Sequence, residues 1–352
     1  MTQFELRDLG WQPHFDQQVQ HAELSECLIG RVSAHFGSHV LMITQDEEIS
    51  VPSSLVEIFN ESGNKDTLAI GDWVLLTPDE HRLVRRLERK TIIARKAAGE
   101  LIRPQLIAAN VDTVFIVSSC NQDFNPSRLE RYLALVLESE AQPVVVLTKS
   151  DLHDDPDSLR QIAESLHPGL IVVTLDARQK NQADTLNDWC GAGKTVALLG
   201  SSGVGKSTLA NSMCGVQNET SGIREDDAKG RHTTTARSMH RLEVGGWLID
   251  NPGMRELQLA DCEQGVADLF DDVLQIAQHC KFGNCSHQGD AGCALAAAVE
   301  SGDLDPRRFQ NYLKLQTEQS RNSASLAERH EKDRKLGKFY KQVISEKQNR
   351  KR

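Results

Sequence analysis

No stretch of the 352-residue chain approaches the roughly 18 consecutive apolar positions of a membrane span. Positions 1–20 lack the basic-then-apolar design of a secretory leader and carry Glu5, Asp8 and Asp16 instead. Together these absences predict a cytoplasmic protein with no membrane partner. The eight cysteines do not form the regular spacing of a disulfide framework. Cys27, Cys120, Cys190, Cys214 and Cys262 are scattered and read as small core residues. Internal repeats and long low-complexity linkers are missing as well. Positive charge is scarce overall, with a formal net charge of −10, which taken alone argues against a nucleic-acid partner. The exception is the end of the chain. There Arg329, Lys332, Arg334, Lys335, Lys338, Lys341, Lys347, Arg350, Lys351 and Arg352 face only Glu331, Asp333 and Glu346. Such a tail is either a phosphate-contacting arm or a solvated terminal helix.

The length suggests two or three domains. Short β-rich runs at 27–32, 40–44, 68–76 and 84–87, broken by turn residues, predict a small N-terminal barrel, of OB-fold rather than SH3-like type. From about 99 the pattern changes to alternation. Strands are expected at 111–119, 143–148, 170–175 and 194–199, and helices at 126–140, 157–166 and 183–190. Alternation of this kind predicts a parallel sheet covered by helices. Beyond about 264 the chain turns helical and polar, with a helix over 310–347 expected to extend away from the core. The predicted architecture is multidomain, with an N-terminal extension at 1–23 and a β-barrel at 24–98. A central α/β nucleotide domain follows at 99–264, and a mainly α domain with a basic tail at 265–352.

Nucleotide chemistry is written in the central domain in an unusual order. Thr148-Lys149-Ser150-Asp151 comes first; Asp151 can accept both the N1–H and the 2-amino hydrogens of guanine, a donor pair adenine lacks. Lys149 can lay its stem over the purine, and Thr148 stands where the common motif has Asn, able to supply one of its hydrogen bonds. About fifty residues later comes Gly200-Ser201-Ser202-Gly203-Val204-Gly205-Lys206-Ser207-Thr208, a full phosphate loop between a strand and a helix. Its glycines turn backbone N–H groups onto phosphates, Lys206 neutralises β/γ charge, and the Ser207 hydroxyl is the expected Mg²⁺ ligand. A Thr-rich switch, Gly230-Arg231-His232-Thr233-Thr234-Thr235, follows, and then Asp250-Asn251-Pro252-Gly253. Asp250 is expected to hold Mg²⁺ through water, Gly253 N–H to face the γ-phosphate, and Thr234 or Thr235 to complete the Mg²⁺ shell. An ordinary GTPase runs phosphate loop, switch, DxxG and then base reader. The same parts in rotated order predict a circularly permuted G domain. Met254 occupies the position where many GTPases place a water-orienting Gln. Slow intrinsic hydrolysis is therefore expected, with His232 or a partner supplying the missing polar group.

Cys280, Cys285, His287 and Cys293 fall within fourteen residues with the spacing C-x4-C-x-H-x5-C. Three thiolates and an imidazole make a closed tetrahedral set, the ligand type of structural Zn²⁺.

Barrel, permuted G domain and this cysteine–histidine segment together resemble the RsgA (YjeQ) family of bacterial circularly permuted GTPases. The likeness runs over roughly 24–300 and includes Gly-Arg-His-Thr-Thr-Thr and the stretch from Ile249 to Leu257. It implies an OB-fold that binds 16S rRNA, a GTPase stimulated by the 30S subunit in its late maturation, and release on hydrolysis to GDP. It also implies nucleotide contacts at Thr148, Lys149, Ser150, Asp151 and 200–208, and one structural zinc per chain at Cys280, Cys285, His287 and Cys293; a monomer is expected. Asn251 departs from the Thr often found there. Asp176 alters the usual Ser-Ala base-edge motif around Leu175-Asp176-Ala177. Two other readings compete: an RNA-binding scaffold with a vestigial nucleotide site, and an ATP-dependent P-loop enzyme. Intact Lys206, Ser207 and Asp250 oppose the first, and Asp151 opposes the second.

Overall fold

The computed structural model describes residues 4–59, 65–96, 104–215, 237–250 and 262–320. The chain divides into two compact units, residues 1–95 with 105–258, and residues 96–104 with 259–352. Among the described residues no helix is long and apolar enough to cross a membrane.

An eleven-stranded mixed sheet organises the first unit. The N-terminal strands are β1 (Leu28–His35), β2 (His39–Ile43), β3 (Glu48–Pro52), β4 (Trp73–Leu76) and β5 (Leu83–Arg86). All of them pair antiparallel, β1 bonding β2 on one side and β4 on the other, with β3 beyond β2 and β5 beyond β4. Val32, Val40, Met42, Ile49, Val51, Val74 and Leu76 form the core they enclose. β3 alternates exposed and buried positions, as expected of a strand with one wet face. Short ladders join Ile58–Phe59 to Lys65–Asp66, and Ile92–Lys96 to Pro104–Ala109.

The nucleotide region supplies β6 (Thr113–Ser119), β7 (Gln142–Thr148), β8 (Ile171–Thr174), β9 (Thr195–Leu199), β10 (Arg237–Arg241) and β11 (Trp247–Asp250). Their order is β8-β7-β6-β9-β11-β10, after which β10 pairs with β1 and the sheet continues through β2 and β3. β6, β7, β8, β9 and β11 are parallel; β10 is antiparallel to β11. Every residue of β6 is buried, which explains why Thr-Val-Phe-Ile-Val-Ser-Ser is nearly continuous apolar rather than alternating. The four strands expected in this region are present with ends shifted by at most two residues, whereas of the N-terminal runs 68–76 is a strand only over Trp73–Leu76 and 27–32 extends to His35. Covering helices start where the chain supplies a cap. Asn125 accepts from Arg128 N–H ahead of α1 (Pro126–Glu138), and Asp155 accepts from Ser158 N–H ahead of α2 (Pro156–Glu164), each with Pro in the first turn. α3 (Lys206–Met213) packs Leu209, Ala210 and Met213 into a core with Phe115, Val144, Val196 and Leu248.

The N-terminal segment is also part of the first unit's core. Leu9, Trp11 and Phe15 are buried, and the Trp11 ring meets the Trp73 ring edge-on at 4.9 Å. Arg31, only 1% exposed, ties three regions together: its guanidinium donates to Leu9 O, to Asn110 O at 3.3 Å and to Thr195 Oγ1 at 2.9 Å, and it lies over Trp73. Burial lowers its pKa to about 10, so it stays charged at neutral pH. Arg31→Ala would leave those acceptors unsatisfied beside a cavity, and is expected to lower stability by about 3 kcal/mol. Denaturant unfolding of both proteins checks this, and a loss below about 1 kcal/mol, the range of ordinary substitutions, would contradict it.

The second unit contains α4 (Glu263–Leu269), α5 (Asp271–Ala277), α6 (Ala294–Ser301) and a helix over 306–320. That last helix differs from expectation in its described part. Instead of leaving the core, it buries Phe309, Tyr312 and Leu315 and sets the Tyr312 ring 5.5 Å from Phe270. Apolar residues at i, i+3 and i+6 form a stripe that favours packing over extension. Arg308 anchors its start through Asp272 at 2.7 Å and Leu269 O at 2.8 Å. The remainder of the predicted helix and the basic tail lie outside the described residues.

Candidate nucleotide and metal sites

Parallel strands end on one edge of the sheet, and the nucleotide motifs leave from those ends. β7 finishes at Thr148 and passes into Lys149, Ser150 and Asp151; β9 finishes at Leu199 and passes into the glycine loop; β8 leads to Leu175-Asp176-Ala177. Ser119 is paired with Thr148 and Ile116 with Leu199, so one register holds both loops side by side. Ligand sites of open α/β sheets lie at such carboxyl ends.

The loop geometry explains the glycines. Gly200 has φ of 154°, and a Cβ there would sit 2.2 Å from Val117 O. Gly205, with φ of 95°, opens α3 and presses close to Thr148. Thr148 is fully buried, and its hydroxyl donates to Ser118 O at 3.0 Å and to Val204 O. It thus stitches the base loop to the phosphate loop, a role in which an Asn amide is not required. Lys149 adopts a left-handed φ of 55°, costly for a non-glycine residue, and its ammonium donates to Gly203 O at 2.7 Å. Lys206 is buried and donates to Gly200 O at 2.7 Å and to Ser201 O. Ser207 and Thr208 follow in the first turn of α3.

Thr148, Lys149, Asp151, Leu152, Asp176, Ala177, Arg178, Gly205 and Thr208 line a cavity of about 240 Å³. That is below the ~300–1,000 Å³ of pockets enclosing whole ligands, so it suits a base with its phosphates lying along the open loop. A larger hollow of about 880 Å³ lies in the second unit between His287–Gly289 and helix 306–320. Size favours it, yet it lacks the phosphate loop and the carboxylate expected to read the base, so the smaller cavity is the candidate nucleotide site.

Three contacts here have no signature in the sequence. Arg128 Nη1 donates to Ser201 Oγ at 3.0 Å, and Tyr132 Oη lies 3.2 Å from the same hydroxyl. Both come from α1, some seventy positions earlier in the chain. Arg178 Nη2 donates to Asp151 Oδ2 at 2.8 Å. Arg178 also binds Asp176, whose carboxyl it holds well below the usual carboxylate range. His232, Thr234, Thr235 and Gly253 lie outside the described residues. Asp250 ends β11 beside β9, and its side chain lies outside them too.

In the second unit, Cys280, Cys285, His287 and Cys293 place all their ligand atoms within 4.8 Å of one another. Cys280 and Cys293 Sγ are each 3.6 Å from His287 Nδ1. Ala294 N–H donates to Cys280 Sγ at 3.3 Å, a contact that favours a thiolate. Asp290 accepts from Ser286 N–H at 2.8 Å and braces the Cys285–His287 turn. His287 itself has φ of 59°. Four converging soft donors with such outer support fit a metal ion. Of the other cysteines, Cys120, Cys190 and Cys262 are buried; burial pushes the Cys120 and Cys190 thiols up to about 11 and about 12. Those two therefore stay protonated at neutral pH.

The chain is similar to several known proteins. The family model for the RsgA GTPase matches residues 86–260. Small ribosomal subunit biogenesis GTPase RsgA 2 of Vibrio parahaemolyticus is 49% identical over 346 residues, covering 98% of this chain and 94% of that protein. Small ribosomal subunit biogenesis GTPase RsgA of Mesorhizobium japonicum is 46% identical over 324 residues, covering 90% and 91%. Among solved structures, YjeQ from Thermotoga maritima matches with a TM-score of 0.58 at 24% identity, covering 82% of this chain and 97% of that one. YloQ, a circularly permuted GTPase, matches at 0.56 and 24%, covering 85% and 97%.

Proposed function

The chain belongs to the RsgA GTPase family, and from that membership we propose that it hydrolyses GTP to GDP and phosphate in the late maturation of the small ribosomal subunit. The observation that carries this reading is the convergence of Thr148–Asp151 and Gly200–Thr208 on one sheet edge, although the base reader precedes the phosphate loop in the chain.

Asp151 accepts the guanine donors, Lys149 covers the base, and Lys206 turns from the loop carbonyls to the β/γ-phosphates. Ser207 and Asp250 are the residues that would hold Mg²⁺, which supplies charge neutralisation on the phosphate oxygens when bound. Met254 offers the attacking water no hydrogen bond, so the polar group comes from His232 or from the ribosomal particle. The cysteine–histidine cluster holds one structural zinc per chain. The N-terminal strands act as an OB-fold that binds 16S rRNA, and the basic tail contributes further phosphate contacts. We place domain boundaries near 23, 98 and 264, and read the protein as a cytoplasmic monomer without a membrane partner.

GTP turnover titrated with purified 30S subunits tests the proposal, with 50S subunits as control. Supplying the missing polar group should raise turnover by about 10²-fold, within the range of general acid–base effects. Equal turnover with 30S, with 50S and alone would remove the ribosomal assignment.

A further inference from the structure

The carboxylate that should read the base already has a partner of the same chemistry. Asp151 must accept N–H groups from guanine N1 and N2, which flank one carbon and so form a guanidine fragment within the ring. Arg178 carries a free-standing guanidinium, planar and donor-only like that edge. Its Nη2 lies 2.8 Å from Asp151 Oδ2, one of the two oxygens the base needs.

This contact is built from below. Asp176 has a side chain only 6% exposed and grips the guanidinium twice, from Nε to Oδ1 and from Nη2 to Oδ2, both at 2.9 Å. Asp176 is itself fixed: it accepts from Arg178 N–H at 3.0 Å and from Gln179 Nε2 at 3.1 Å, and its N–H donates to Gln182 Oε1 at 2.7 Å. Arg178 is thereby held against the cavity that Asp151, Asp176 and Ala177 line. The Asp176 that departs from the family's Ser-Ala base-edge pattern is the residue that pins it.

We infer that Arg178 competes with guanine for Asp151 and so sets how fast and how tightly the site takes guanine nucleotides. The inference rests on Asp151 being the base reader. The guanidinium must leave Asp151 before the base engages, so the apparent affinity is the intrinsic one reduced by the fraction of sites with that contact open. Asp151 and Arg178 side chains are 34% and 66% exposed, which makes the contact an accessible, salt-screened ion pair rather than a permanent one.

Stopped-flow binding of fluorescently labelled GDP and ADP to the full-length chain separates the possibilities. R178A should raise the GDP association rate about two- to five-fold, the span of an exposed ion pair. Its GDP dissociation rate and its ADP association should stay as in the wild type. Added salt should narrow the gap between R178A and the wild type in GDP association. R178K keeps the charge but cannot hold Asp176 and Asp151 with one planar fork, and should behave like R178A. Slower or unchanged GDP association in R178A would overturn the inference, as would an equal rise for ADP or wild-type behaviour of R178K. A wild-type protein with no preference for GDP over ADP would instead overturn the base-reading assignment itself.

Discussion

Lys206→Ala is expected to lower GTP turnover by about 10²–10³-fold, the cost of removing one preorganised electrostatic group from a transition state. Two effects add in the same direction. The ammonium proposed to neutralise the β/γ-phosphates is gone, and the nucleotide-free loop loses its bonds to Gly200 O and Ser201 O. Because the side chain is buried, truncation also leaves a gap beneath α3 rather than a solvated surface. Single-turnover hydrolysis with and without small subunits measures the loss. Turnover within about threefold of the wild type, far less than such a group contributes, would show that the loop does not hold the reacting phosphates.

Removal of the metal proposed for the cysteine–histidine cluster is expected to unfold the segment around it. Structural zinc contributes about 10–16 kcal/mol to small folded sites at neutral pH, more than a segment of this size gains from its apolar contacts alone. Cys293 is the N-cap of α6, and the turn before it holds Cys280, Cys285 and His287. Treatment with a strong chelator, or Cys285→Ser, should reduce the helical circular dichroism signal and speed hydrogen exchange over 280–302. GDP affinity should remain, since the guanine and phosphate contacts come from the other unit. Unchanged exchange over 280–302 after verified metal loss would mean the cluster is not structural.

The sequence made much of the nucleotide site legible, because its motifs are local. A phosphate loop needs its glycines, Lys206 and Ser207 in one short run, and the strand before it is a continuous apolar stretch. The rotated order was equally readable, since it depends on sequence alone. Two things escaped. The Thr148 hydroxyl was expected to supply one hydrogen bond of an Asn amide, but its partners, Ser118 O and Val204 O, come from two distant segments and could not be named. The Arg178–Asp151 contact depends on β8 being parallel to β7 in a particular register, which no local pattern encodes. The helix over 306–320 shows the opposite error. Its polar composition suggested projection, whereas Phe309, Tyr312 and Leu315 share a face and are buried.

The join between β1 and β10 is only two rungs long, Ala34 with Ser238 and His35 with Arg237. One side of it runs straight into the hairpin tip where Phe36 stacks on His39, exposed to whatever approaches. The other side begins two positions after Thr235, the last of the switch threonines. A pull on that tip would therefore fall on a seam of two residue pairs that joins the N-terminal strands to those of the nucleotide region.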